Sequence, residues 1–216
     1  MIVAFLSDIH GNLPALQRAL ADAIAYGATR IICLGDVGGS DCLDALAQAR
    51  AECVFGNWEV SRWTRVAQRH WQWIRHWPPA IEGTRFIAVH AAPFWPDGLE
   101  SLDDFSTYQR QHRVSWLTLF PRLSQDEEAR WQALASLEER NKRICFYGHT
   151  HIQDVWHFAA SGHLRQAKGT NLPLTNDGSR YLIGVGSVGQ PVDGPGICYA
   201  LYDEKSHHVW LRRLIE

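Results

Sequence analysis

Side chains that bind metal ions in proteins follow five short apolar runs of this sequence. Each stands at the end of its run or within four residues of it, where a buried strand would give way to a loop. They are Asp8, His10, Asp36, Asn57, His90, His149 and His151. Carboxylates and neutral imidazoles are ligands of manganese, iron, nickel and zinc. Seven such groups exceed what one ion normally binds, so the pattern predicts a site for two ions.

The elements that must position these residues alternate between strand and helix in the first part of the chain. Apolar residues recur at helical spacing over residues 13–26, and a second helix is predicted over residues 41–50 with Asp41 as its N-cap. Strands joined by helices form a parallel sheet, and the carboxyl ends of its strands lie at one edge. A Gly-Asp or Gly-Asn pair alone is ordinary turn chemistry. Because all five motifs stand at strand ends, we expect them to meet at the edge of one alternating sheet.

The rest of the chain is predicted to elaborate a single α/β domain, residues 1–216. Residues 59–78 contain four tryptophans, Trp63, Trp71, Trp73 and Trp77, which we expect to pack a helix onto the sheet. Residues 99–140 have a polar helical pattern, which predicts a helical insertion or cap at about 99–142. Further strands are predicted at residues 84–90, 143–147, 154–158, 164–167, 181–185, 196–202 and 208–214.

Composition excludes several classes of protein. The 216 residues include 21 Lys and Arg against 23 Asp and Glu, so the chain offers no positive field for duplex nucleic acid. The first apolar run, Ile2–Leu6, is too short for a signal peptide or a membrane span. Five scattered cysteines without a Cys-x-x-Cys pair are typical of reduced thiols. We therefore expect a cytoplasmic protein without membrane contact.

The order of the motifs resembles the signature of the calcineurin-like metallophosphoesterases. The matching motifs are Asp8-x-His10, Gly35-Asp36, Gly56-Asn57, His90 and Gly148-His149-Thr150-His151. The stretch Gly184–Pro191 is also similar to one found in the small bacterial phosphodiesterase-like branch of the family. The resemblance implies a four-layer α/β/β/α sandwich whose second sheet is supplied by the later strands.

The same resemblance implies roles for the candidate ligands. One ion would be held by Asp8, His10 and His151, the other by Asn57, His90 and His149, with Asp36 bridging both. Asp36, Asn57 and His149 would also take part directly in catalysis. Two ions roughly 3.5–4 Å apart lower the pKa of a bridging water and stabilise in-line displacement at phosphorus. Manganese is the expected metal, and iron, nickel and zinc are alternatives.

One position departs from the family pattern. Many members have a histidine directly after the Gly-Asn pair, where it contacts phosphate and protonates the leaving group, but this chain has Trp58. An indole cannot supply a proton at neutral pH, and a general acid contributes about 10²–10⁴-fold. We therefore expect slow turnover of substrates with poor leaving groups. Trp58 and Asn12 are expected to line the substrate pocket, with Trp58 stacking on an aromatic group; the alternative is that Trp58 packs beneath the tryptophan-rich segment. Further candidates for phosphate contact are Arg62, Arg65 and Arg113.

These observations predict a metal-dependent phosphoesterase. Its expected reaction is hydrolysis of P–O bonds in a small nucleotide-type or related phosphodiester by a metal-bridging hydroxide. The alternative is a catalytically weak or silent metal-binding scaffold of the same fold, since a retromer subunit with this fold lacks the same histidine and works through protein contacts. A nuclease is disfavoured by the charge balance. The expected partner is a small phosphoester, and a homo-oligomer through the tryptophan-rich surface is a further option.

Overall fold

Residues 1–215, which the computed structural model describes, form twelve strands and seven α-helices. The strands are β1 (Ile2–Leu6), β2 (Ala28–Cys33), β3 (Glu52–Cys53), β4 (Ala80–Glu82), β5 (Phe86–Val89), β6 (Ile144–Tyr147), β7 (Gln153–Phe158), β8 (Leu164–Gln166), β9 (Asn171–Pro173), β10 (Arg180–Val185), β11 (Ile197–Asp203) and β12 (His208–Leu214). The helices are α1 (Leu13–Ala25), α2 (Ser40–Gln48), α3 (Asn57–Arg62), α4 (Trp71–Arg75), α5 (Leu102–His112), α6 (Trp116–Leu119) and α7 (Glu127–Glu139).

The strands are divided between two six-stranded sheets. The first has the order β3-β2-β1-β11-β12-β9, in which β1, β2 and β3 are parallel. The second has the order β4-β5-β6-β10-β7-β8, in which β5, β6 and β10 are parallel. The later strands therefore supply both sheets, since β9, β11 and β12 extend the first one. The second sheet also includes β4 and β5 from the middle of the chain.

Alternation along the strands builds the four predicted layers. In β1, Val3 and Phe5 face a central core between the sheets, while Ala4 and Leu6 face the helices outside. In the central core the rings of Phe5 and Phe146 stack with their centroids 3.9 Å apart, which joins the two sheets at their middle strands. Helices α1 and α2 cover the first sheet and α7 covers the second. The α/β/β/α prediction is confirmed.

The start of α2 differs from the prediction. Asp41 is not the N-cap, because the helix begins at Ser40 and its N-cap residue is Gly39. The Ser40 hydroxyl accepts a hydrogen bond from the backbone N–H of Ala67 at 2.9 Å, which ties the start of α2 to the segment after α3. Asp41 lies in the first turn, where its charge favours the helix dipole.

The segment 99–142 contributes to two layers. Phe105 of α5 and Phe120, which follows α6, pack into the core outside the first sheet. Ala133 and Leu137 of α7 pack against the outer face of the second sheet. Helix α7 is thus a layer of the sandwich. A role as a cap stays a prediction for α5 and α6.

The tryptophan-rich segment packs against the core. Trp77 is buried, and Trp63, Trp71 and Trp73 lie half-buried against the core outside the first sheet. Edge-on pairs, Trp63 with Trp71 and Trp73 with Trp77, hold the segment together. This agrees with the expected packing role, and an oligomer formed through these side chains stays a prediction.

None of the helices within residues 1–215 combines the length and the apolar content needed to cross a bilayer. The five cysteines are buried free thiols.

Candidate metal centre

The candidate ligands converge where the two sheets meet at one edge of the sandwich. Four of them follow strands β1, β2 and β3 of the first sheet, and three follow β5 and β6 of the second. The four are Asp8, His10, Asp36 and Asn57, and the three are His90, His149 and His151. The expectation of a single sheet is wrong, because the parallel strands of both sheets end at this shared edge.

The backbone at the site is unusual. Positive φ angles occur at Asp8 (54°), His10 (49°), Asp36 (54°), His149 (62°) and His151 (59°). These five are more than half of the nine non-glycine residues with positive φ in the described chain. A non-glycine residue in this conformation costs about 1–3 kcal/mol and persists where the surrounding structure enforces it. The tight turns after β1, β2 and β6 therefore aim these side chains at one point, at a cost to stability.

Asp8, His10 and His151 form the first group of ligand atoms. The Nε2 atoms of His10 and His151 are 3.1 Å apart. The Oδ1 atom of Asp8 is 3.3 Å from Nε2 of His151 and 3.9 Å from Nε2 of His10. Two imidazole nitrogens and a carboxylate oxygen facing one another in this way suit a cation between them. The structure thus brings together the three residues expected to hold one ion.

Asp8, Asp36 and His90 form a second group, with ligand atoms within 4.8 Å of one another. The Nε2 atom of His90 is 3.6 Å from Oδ1 of Asp36 and 3.0 Å from Oδ1 of Asn57. The other oxygen of Asp36, Oδ2, is 3.9 Å from Nε2 of His10. Asp36 therefore faces a residue of each expected set, as a bridging ligand would, and Asp8 shares this central position.

His149 lies beside the second group. Its ring centroid is 5.1 Å from that of His90, and its backbone N–H donates to Oδ2 of Asp8 at 2.9 Å. Its side chain belongs to neither of the two closest groups formed by the described residues. Its role as a ligand of the second ion stays a prediction.

Backbone carbonyls fix the orientation of two imidazoles. The Nδ1–H of His90 donates to the carbonyl oxygen of Leu34 at 2.7 Å, and that of His151 donates to the carbonyl of Gln190 at 2.6 Å. Because a carbonyl can only accept, Nε2 of each ring is left with a lone pair toward the centre. Gln190 belongs to the stretch Gly184–Pro191, which therefore supports the site.

Burial sets the charges at the centre. It opposes ionisation of Asp8, but the close approach of His151 and the nearby His90 hold the pKa of Asp8 well below its usual range. Burial, together with the charge of Asp8, raises the pKa of Asp36 to about 8. Burial lowers the pKa of His149 to about 3 and also lowers that of His10. Metal binds ionised carboxylates and neutral imidazoles, so a cation at the centre would displace the proton that the raised pKa keeps on Asp36 near neutral pH.

One buried oxygen shows that these residues fit a metal ion. Oδ1 of Asp8 is fully buried and has no hydrogen-bond donor among residues 1–215. A buried carboxylate oxygen without a partner is costly, and a cation between Asp8 and the two nearby imidazole nitrogens would remove that cost. The donor set of carboxylate and imidazole suits manganese, iron, nickel or zinc equally.

Glu59 is a supporting residue that the sequence reasoning missed. Its buried carboxylate accepts hydrogen bonds from three backbone N–H groups, those of Asp36 and Gly56 at Oε2 (2.9 and 2.8 Å) and Val37 at Oε1 (2.9 Å). Burial, with the charge of Asp36 added, raises the pKa of Glu59 to about 7. Glu59 thus joins the loop after β2 to the loop before α3. Its place three residues after Gly56, at the start of a helix, was a capping signal.

Two motif glycines allow close approach to the ligands. A Cβ atom on Gly56 would collide with the Asp36 carboxylate and lie 2.7 Å from Cε1 of His90. A Cβ on Gly148 would lie 2.7 Å from Oδ2 of Asp8. The Gly-Asn and Gly-His pairs therefore leave space for carboxylates of the neighbouring loops.

A cavity of about 390 Å³ opens beside the centre and includes Trp58 in its wall. The backbone N–H of Trp58 donates to Oδ1 of Asp36 at 2.8 Å, which ties the start of α3 to this candidate ligand. Asn12 is not in this cavity. Its Oδ1 accepts from the N–H of Ala15 and caps α1, and it lines a separate cavity with Pro14. Trp58 therefore lies in the wall of the cavity beside the centre and Asn12 caps α1, and contact of either side chain with a substrate stays a prediction.

Comparison with known proteins agrees with this geometry. The sequence model of the calcineurin-like phosphoesterase superfamily domain matches residues 1–207. The chain belongs to the calcineurin-like phosphoesterase superfamily. Membership confirms the resemblance seen in the motifs and supports a metal-binding hydrolase that acts on phosphoesters.

Individual relatives of this phosphoesterase are distant. The uncharacterized protein MJ0912 of Methanocaldococcus jannaschii is 27% identical over 228 residues, covering 99% of this chain and 87% of that protein. A metallophosphoesterase from Sphaerobacter thermophilus has a TM-score of 0.73 at 22% identity, covering 99% of this chain and 88% of that one. An archaeal phosphodiesterase has a TM-score of 0.53 at 13% identity, covering 99% and 100% of the two chains. These structural matches show a shared fold.

Proposed function

We propose that the protein is a dinuclear metal-dependent phosphodiesterase that hydrolyses a small nucleotide-type or related substrate. The observation that carries the proposal is the unpartnered Oδ1 of Asp8 between two groups of ligand atoms. Divalent ions at this site would supply a polarised water and neutralise the charge of the phosphate. Manganese is the proposed metal, and a cytoplasmic location is proposed from the free thiols.

The residues of the chain prepare the site for this chemistry. His90 and His151 are held by backbone carbonyls with Nε2 toward the centre. Asp36 is fixed by the N–H of Trp58, and its loop is held by Glu59. Such fixed orientation means that little reorganisation is needed when charge develops in the transition state.

The side chains beside the centre favour substrates with good leaving groups. Among the described residues that line the cavity, the only imidazole and carboxyl groups are those of the candidate ligands His10 and Asp36. With Trp58 in place of an acid, an alkoxide leaving group would depart without a proton. Substrates with a stable leaving anion are therefore favoured.

Hydrolysis of bis(p-nitrophenyl) phosphate and of p-nitrophenyl phosphate by the Mn²⁺-loaded protein tests the proposal. We expect diester cleavage at least about ten times faster than monoester cleavage, as a phosphodiesterase would show; both compounds release p-nitrophenolate, which departs without a general acid, so their ratio reports the preference for diesters alone. Asp36→Ala is the control and is expected to be inactive on both. A protein that binds metal but cleaves neither compound would contradict the proposal.

Metal binding gives a second prediction. We expect two Mn²⁺ ions per chain by calorimetric titration of the metal-free protein. At a concentration about 100 times the dissociation constant, each bound ion adds about 2.7 kcal/mol, and one ion alone raises the melting temperature by roughly 5–10 °C. A melting temperature that does not change with Mn²⁺ would contradict a built metal site.

A scaffold is the second candidate function, and Trp58 in place of the usual acid is the observation that favours it. A scaffold needs no full set of ligands, yet all seven expected residues lie at this edge. Binding of two ions without hydrolysis of any phosphoester would favour the scaffold.

A further inference from the structure

We propose that Arg62, together with Trp58 and Trp116, forms a subsite for the leaving half of the substrate, and that this half is a nucleoside phosphate joined through a phosphoanhydride bond. The inference rests on the proposed function and specifies its substrate class. It follows from the side chains that line the cavity beside the metal centre and from the lack of a general acid among the described residues there.

The cavity joins the candidate centre to side chains outside it. His10, Asp36 and Asn57 form one wall, and Trp58, Arg62 and Trp116 are on the others. Its volume of about 390 Å³ falls within the range of small-molecule sites, roughly 300–1,000 Å³. A phosphate bound at the centre would therefore have the rest of its molecule in contact with these three side chains.

Arg62 provides an unused positive charge. It is the last residue of α3, it is exposed, and within residues 1–215 its guanidinium makes no hydrogen bond or ion pair. Its charge reaches the centre, since it opposes the rise in the pKa of Asp36. A guanidinium binds phosphate oxygens through paired N–H donors. Of the three arginines considered from the sequence, Arg62, Arg65 and Arg113, Arg62 alone is found in this cavity wall.

Two indoles provide surfaces for a planar ring. Trp58 comes from α3 on the first sheet's side, and Trp116 comes from α6 of the inserted segment. Trp116 keeps 37% of its surface exposed, although most tryptophans of this chain pack into the core. Indoles stack on any nucleobase, since every base has a flat π-face. An arginine beside the half-buried Trp58 and the exposed Trp116 matches a nucleobase linked to phosphate.

The missing acid determines the bond that breaks. Water attacks the phosphorus atom held at the centre, and the bond from that phosphorus to the bridging oxygen breaks. The bridging oxygen keeps the electron pair and becomes a terminal oxygen of the departing nucleoside phosphate. The two protons of the water remain on the product phosphates or pass to solvent. A phosphate monoester has a second pKa near 6, so this leaving group departs as a stable anion without a donor. Arg62 is placed to neutralise that anion.

Two substrates that differ in the leaving group test the inference. Hydrolysis of diadenosine pyrophosphate releases a nucleoside phosphate as the leaving group. Hydrolysis of bis(p-nitrophenyl) phosphate releases p-nitrophenolate, which carries no phosphate. For the Mn²⁺-loaded protein, we expect Arg62→Ala to lower kcat/KM on diadenosine pyrophosphate roughly 10- to 100-fold more than on the phenyl diester. Arg62→Lys is expected to restore part of the loss. Arg65→Ala removes an exposed arginine outside the cavity and is expected to change neither rate.

The indoles are tested in the same assay. We expect Trp116→Ala to raise KM for diadenosine pyrophosphate roughly 10-fold, as loss of base stacking does. Trp131→Ala, which removes an exposed tryptophan of α7, is the matched control. Equal losses on both substrates, or none, would overturn the subsite while leaving the phosphodiesterase intact. A wild-type protein that cleaves neither substrate would instead overturn the proposed function.

Discussion

Asp8→Asn is expected to lower the rate of diester hydrolysis at least about 1,000-fold, because a catalytic metal contributes several kcal/mol to transition-state stabilisation. The Oδ1 atom of Asp8 has no donor within the described chain and faces both groups of ligand atoms. An amide at this position replaces the anionic oxygen or turns an N–H toward the ion. The variant should therefore lose metal affinity as well as activity.

The same variant is expected to keep its fold. Asparagine tolerates the left-handed backbone that Asp8 adopts, with φ of 54°, and its oxygen can still accept from the N–H of His149. Removing one of two crowded carboxylates also removes repulsion on Asp36. Calorimetric Mn²⁺ titration and thermal unfolding of the metal-free variant measure the two effects. Asp41→Asn, at an exposed aspartate of α2, is the control. Full Mn²⁺ affinity in Asp8→Asn would refute the assignment of the centre.

Glu59→Ala is expected to lower the free energy of unfolding by at least about 3 kcal/mol, because three buried N–H groups lose their acceptor and each costs about 1–3 kcal/mol. Those groups belong to Asp36, Val37 and Gly56, which hold the loops after β2 and before α3. Displacement of these loops also moves Asp36 away from His90. We therefore expect activity to fall together with stability.

Urea unfolding of the metal-free variants measures this effect. Glu59→Gln keeps one acceptor oxygen and is expected to lose less than Glu59→Ala. Glu52→Ala removes an acid whose bonds to Arg30 are exposed, and it should cost less than about 1 kcal/mol. If Glu59→Ala were as stable as Glu52→Ala, the carboxylate would not be what holds the two loops.

The strands and helices with strong apolar periodicity could be predicted from the sequence. β1, α1 and β6 lie within one residue of their expected bounds because their apolar residues face a core. The short strands β4 and β9 were missed, since each has three residues and neither has a buried side chain. The division into two sheets was also hidden, because periodicity shows that a strand is buried without showing its neighbours.

The candidate site was visible because its ligands are polar residues at the ends of apolar runs. The supporting contacts were less visible. No prediction was made for Glu59, and only the fold shows that its carboxylate is buried against the loop after β2. Asn12 stands directly before a helix, where asparagine is a favoured N-cap residue, and its side chain caps α1 by accepting from the N–H of Ala15.

The placement of the ligands on two sheets has a mechanical consequence. Ions held at this edge would tie chain segment 8–57 to segment 90–151, as a disulfide ties distant parts of a chain. Without them, Asp36 is protonated near neutral pH, because its pKa is raised to about 8, and Oδ1 of Asp8 has no donor within the described chain. The contact that joins the sheets further in, the stacked rings of Phe5 and Phe146, does not depend on the ions. Metal loading would therefore act as a clasp between the two halves of the sandwich, and the emptied edge is where the halves would begin to part.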